Sequence, residues 1–214
     1  MKKHIIRYAS FAFAILGMVS CSEEQETALR PQDAKSTPMT FLVSHPGQTT
    51  RATETSFEQN DRIGLYVADA KAQLEIGGNL VNNEALTYDG SKWAAARTLY
   101  WDKGTYTAYA YYPYLEDVSS ITDQPFSVVL DQSTAKSKEA MGGYEASDLL
   151  FASSKNISAS ASPIPLNFKH IMSKLKIRLI KGEDFEGDMP TTAKVYIHNT
   201  VPTATIDLQA GVAT

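Results

Sequence analysis

Cysteine occurs once in the 214 residues, at Cys21, so no disulfide can form within the chain and the fold must stand on its core. Histidine is almost as scarce. His4, His45, His170 and His198 are all there are, and none sits at a metal-ligand spacing. Long apolar runs are missing too: Tyr8 to Val19, behind Lys2, Lys3 and Arg7, is short for a bilayer span and has the make-up of a secretion signal over residues 1–20. No long window repeats at helical spacing, although Ser133 to Met141 could hold one short helical turn, and there is neither an internal repeat nor a low-complexity block. A basic excess is also absent. The formal net charge is −4, and loss of the three signal cations takes it to −7, which argues against nucleic acid and anionic headgroups as partners.

What the chain does have is a period of two. Ile63, Leu65 and Val67 alternate with Arg62, Gly64 and Tyr66; Phe126, Val128 and Leu130 with Ser127, Val129 and Asp131; Leu175, Ile177 and Leu179 with Lys176, Arg178 and Ile180. Each reads as a strand with one face inward, and a one-residue slip at the third would bury Lys174, Lys176 and Arg178. Further strands are predicted at Thr40 to Ser44, Thr105 to Tyr112, Ile164 to Phe168, Lys194 to His198 and Thr205 to Leu208. Asp89-Gly90, Lys103-Gly104 and Lys181-Gly182 supply turns between them. Many short strands with polar connections define an all-β sandwich or barrel.

Catalytic constellations are hard to find. Ser173-Lys174-Leu175-Lys176 matches the S-x-x-K spacing of penicillin-recognising enzymes, but that chemistry needs both side chains on one helix face, and in an alternating strand residues three apart point to opposite sides. Gly77-Gly78 and Gly142-Gly143 are too short to cradle a phosphate and read as turns; Asn156-Ile157-Ser158 reads as a surface loop. His170, beside a strand start, reads as a structural histidine. We therefore expect no enzyme, no cofactor and no metal. Seven aromatic residues between Tyr100 and Tyr114 leave two readings open. Tyr106 and Tyr112 share one strand face with Ala108 and Ala110, while Tyr109 and Tyr111 occupy the other; the rings could stabilise the sheet across strands, or Tyr109 and Tyr111 could stack on a carbohydrate.

Two resemblances sharpen this picture. Met18-Val19-Ser20-Cys21 resembles the lipobox of bacterial lipoproteins, which implies acylation of Cys21 and anchoring in the outer membrane, with residues 21–37 as a polar linker. Ser22-Glu23-Glu24 resembles the acidic signal that sends some lipoproteins to the cell surface, and equally fits a solvated charge run. From residue 38 onward, Thr50-Arg51-Ala52-Thr53, Asp61 to Val67, Tyr109-Ala110-Tyr111-Tyr112-Pro113, Asp148 to Ala152 and Leu166 to His170 through Lys174-Leu175 follow the order seen in fimbrillin-like proteins, the subunits and tip or anchor components of type V pili.

That resemblance implies a transthyretin-like β-sandwich over residues 38–214, mainly the first of two expected domains, with the C-terminal domain missing. It also implies a structural or adhesive role in surface fimbriae. In pilus-forming relatives a protease cuts after an arginine, the strand before the cut is lost, and another subunit's strand fills the groove. Arg51 and Ala52 match the cut, and Met39, Phe41 and Val43 alternate on the strand that would leave. The implied partners are other pilus subunits through strand complementation, the outer membrane through the lipid, and ligands on host or bacterial surfaces. A lipid-anchored glycan-binding module is the alternative.

Overall fold

The computed structural model describes residues 37–47, 56–137, 140–192 and 196–214, and among them regular structure consists of strands and one 3-10 turn, Glu145–Ser147. At the centre is a six-stranded antiparallel sheet. It is built from β2 (Arg62–Asp69), β3 (Val81–Tyr88), β4 (Trp93–Ala95), β5 (Thr105–Tyr112), β7 (Leu150–Ser158) and β9 (Lys169–His170), in the order β4-β3-β2-β5-β7-β9. Two smaller sheets cover it. β1 (Phe41–Ser44) and β8 (Ile164–Asn167) pair in parallel, while β6 (Gln124–Ser127), β10 (Thr203–Asp207) and β11 (Val212–Ala213) pair antiparallel in the order β11-β10-β6.

The protein is thus all-β with a sandwich-like stacking of sheets, and it has a core on each face of the central sheet. On one face Ile63, Leu65 and Val67 of β2 and Tyr106, Ala108, Ala110 and Tyr112 of β5 pack with Ile164 and Leu166 of β8. On the other, Tyr66 and Ala68 of β2 and Tyr109 and Tyr111 of β5 pack with Phe126, Ile206 and Leu208. The expectation of one inward face per strand is corrected for β2 and β5, which are buried on both sides. Gly64 is what allows the second core to close: a Cβ there would stand 2.3 Å from the Tyr111 ring. With that space open, the Tyr111 hydroxyl donates to Asn83 Oδ1 at 2.6 Å.

Three expected strands are corrected. Among the described residues none runs between β9 and β10, and Leu175, Ile177 and Leu179 are 66%, 48% and 52% exposed. Alternation lets a segment form a half-buried strand, but a strand also needs a ladder partner, and among the described residues no strand pairs with this segment. Tyr196 to His198 is likewise exposed and unpaired by any strand; Lys194 and Val195 lie outside the described residues. β6 stops at Ser127, leaving Leu130 in solvent. The expected helical turn at Ser133 to Met141 is absent from its described part, and the 3-10 turn comes a few residues later. Gly142 and Gly143 are buried points of close backbone approach rather than open turns.

Candidate functional site: the first strand and its groove

The first strand is built as its alternation requires. Met39 is buried in the first core and Phe41 and Val43 are half-buried against it, while Leu42 points to solvent. The backbone is held on two sides. Met39 N–H donates to the Leu99 carbonyl at 2.8 Å and Trp101 N–H to that of Thr37 at 3.0 Å; further along, Ile164 N–H donates to Thr40 O at 2.8 Å and Phe168 N–H to Ser44 O at 3.1 Å. Phe41 stands opposite Ile164 and Val43 opposite Leu166, and Ser44 Oγ donates to Asn167 Oδ1 at 2.7 Å. Full burial of such side chains stabilises by about 1.5–3 kcal/mol each, with Met39 near that range and the other two below it; each hydrogen bond adds about 0.5–1.5 kcal/mol. The strand is therefore firmly seated, yet its contribution comes from a few separable contacts.

Parallel pairing brings the far ends of β1 and β8 together. His45, directly after β1, lies edge-on to His170 of β9, with ring centroids 6.0 Å apart. It also lies edge-on to Phe57 at 4.8 Å, and Phe57 in turn meets Trp93, Tyr112 and Phe168 at 4.9–5.5 Å. Such aromatic pairs are worth about 0.5–1.5 kcal/mol beyond their area. His45 and Phe57, on either side of residues 48–55, thus touch. Arg51 and Ala52 lie in that segment, outside the described residues, as does Cys21.

A small polar cavity of about 40 Å³ adjoins this end of the strand. Its anchor is Asp61, buried just before β2: one carboxylate oxygen holds Lys136 Nζ at 2.5 Å and the other accepts the Glu58 N–H at 2.7 Å. Burial opposes the Lys136 charge, but the bond to Asp61 and its charge, helped by Glu58 at 3.2 Å, outweigh burial and raise the lysine pKa. Asp148 Oδ1 lies 2.7 Å from His170 Nδ1. Burial, and then Asp61 and neighbouring carboxylates, push the Tyr112 hydroxyl well above its ordinary value. Asp61, Glu58 and Lys136 pair with one another, as do Asp148 and His170; among the described residues no cluster of His, Cys, Asp and Glu has the make-up of a metal site.

The stacking reading of Tyr109 and Tyr111 is corrected. Tyr109 is 8% and Tyr111 1% exposed, both within the second core, so neither ring offers a face to a sugar. Sequence reasoning missed Phe57, Lys136 and the pairing of His45 with His170. Asp61 was visible only as part of a family motif.

The geometry defines a β-sandwich whose first strand packs its apolar side chains onto the first core beside β8. A family model described as fimbrillin-like matches residues 50–214, and the chain belongs to that family. It is 26% identical over 198 residues to a Bacteroides ovatus protein that goes by the name of fimbrium tip subunit Fim1C, covering 84% of this chain and 36% of that one. The chain thus spans about a third of the length of this relative. A crystal structure described as a fimbrial protein from Bacteroides ovatus aligns with 22% identity and a TM-score of 0.44, over 64% of this chain and 29% of that one. Another from the same species, described as a cell adhesion protein, aligns with 16% identity and a TM-score of 0.49, over 83% and 68% of the two chains.

Proposed function

We propose that this fimbrial-family chain is a structural or adhesive component of a surface fimbrium. In this reading it is exported as a lipoprotein through Cys21 and joins other subunits by giving up its first strand after a cut between Arg51 and Ala52. The observation that carries the reading is the seating of Met39, Phe41 and Val43. They pack into the first core from a short edge strand, and His45 and Phe57, on either side of residues 48–55, touch. A cut between those residues would leave β1 and β2 whole. It would convert β1 from a tethered strand into one held by noncovalent contacts alone, and a partner's extended segment could then offer the same backbone ladder and alternate side chains.

Mass spectrometry of subunits extracted from surface polymers tests the cut. We expect an N-terminus at Ala52, and no assembly by an Arg51→Ala variant; polymers whose subunits keep Cys21 and β1 would rule the mechanism out for this chain. The anchor is tested separately by Cys21→Ala, which should abolish acyl-chain labelling and membrane retention.

A further inference from the structure

We propose that His45 is a proton-operated latch on the first strand: neutral, it closes the turn that ends β1, and protonated, it opens that turn. The inference rests on the reading of β1 as the exchangeable strand and adds to it a condition for release. Its chemistry lies in one bond. Gly47 N–H donates to His45 Nδ1 at 3.0 Å, so Nδ1 is the acceptor nitrogen of a neutral ring whose proton sits on Nε2. A proton added at Nδ1 turns the acceptor into a donor facing another donor, and the bond is lost. The turn so undone, His45-Pro46-Gly47, leads from β1 directly to residues 48–55.

The two carboxylates that would favour the new charge, Asp148 and Asp61, are already engaged. His170 faces His45 from β9 and is held by Asp148. Asp61 has both oxygens occupied, by Lys136 and by the Glu58 N–H, and the Glu58 carboxylate is on Lys136 as well. Tyr112 of β5 and Tyr144 and Glu145 of the 3-10 turn line the same small cavity. Burial, and then the His170 ring, hold the His45 pKa below the ordinary histidine value, against the opposing pull of Asp148 and Asp61. A lowered value means that the opened form takes up the proton first. The stability contributed by neutral His45 is therefore complete above about pH 6.5 and is lost progressively as pH falls below it.

Hydrogen exchange of the full unassembled chain tests this, read by mass spectrometry at about pH 7.5 and 5.5 with intrinsic rates corrected and β5 and β7 as internal references. We expect opening of residues 37–47 to rise roughly two- to tenfold at the lower pH relative to β5, the range for losing one net hydrogen bond. His45→Asn places an amide oxygen where Nδ1 stands and closes the same turn at either pH. It should keep the neutral-pH protection and abolish the rise. An unchanged 37–47 peptide in the wild type, or an equal rise in His45→Asn, would overturn the latch. Because the measurement needs no partner, its failure is distinct from that of strand exchange, which is judged by the N-terminus found in polymers.

Discussion

The two faces of the central sheet are covered in different ways. On the second face β6, β10 and β11 pair antiparallel, and β10 and β11 are joined by a tight turn closed by the Gly211 N–H to the Asp207 carbonyl at 2.8 Å. Ile206 and Leu208 there are fully buried. On the first face the cover includes a four-residue strand from the other end of the chain, half-buried at Phe41 and Val43, with His45 just after it packed against Phe57. One cover is fully buried where it meets the core; the other is buried at β8 but only partly at Phe41 and Val43 of β1. The difference is that one cover is closed by strands joined through a short turn, while the other depends on a short strand paired with a partner far along the chain.

A charge placed on each cover should separate them most clearly. Ile206→Asp puts an unpaired carboxylate into the second core and should cost more than about 4 kcal/mol, enough to prevent folding. Phe41→Asp should cost about 2–3 kcal/mol and act locally, with lost exchange protection at residues 37–47 and retained protection at β5 and β7. Global unfolding by Phe41→Asp would erase the distinction. Next in size is Gly64→Ala. The added methyl meets the Tyr111 ring on the second face, and we expect about 2–3 kcal/mol of destabilisation in urea unfolding; a neutral result would mean that Tyr111 can move without loss.

The smaller effects lie where the sequence and the structure part company. Ile177→Asp would wreck a core strand, but with the side chain 48% exposed we expect a change within about 0.5 kcal/mol. An unfolded variant would restore the inward strand that its alternation suggests. Arg97→Ala, which removes an exposed ion pair to Glu84 at the sheet edge, should shift stability by less than about 1 kcal/mol in the same assay.

Where neighbours in sequence decided the structure, the sequence was legible. β5 runs from Thr105 to Tyr112 as its Tyr-Ala alternation and the preceding Lys103-Gly104 turn predict, and Met39, Phe41 and Val43 face inward as their spacing requires. β7 escaped notice because Ser153 to Asn156 is polar; β5 supplies the ladder that makes it a strand. Leu175 to Leu179 erred in the opposite direction, since alternation reports what a segment could bury and not whether a partner is there. The end of the groove was invisible for a different reason. His45 and His170 are far apart in the chain and meet because β1 and β8 run the same way.

That parallel pairing also bears on the order in which the protein comes together. Ser44 and Asn167, whose side chains are hydrogen-bonded, are 123 positions apart, and no hairpin can join them. The central sheet can form from its antiparallel neighbours while β1 has nothing to pair with, because closing so long a loop must be paid before its contacts return anything. At synthesis rates of about 5–20 residues per second, β1 precedes its partner by roughly 6–25 s. β1 thus waits unpaired until β8 has been made, and over that interval the cover of the first face is incomplete.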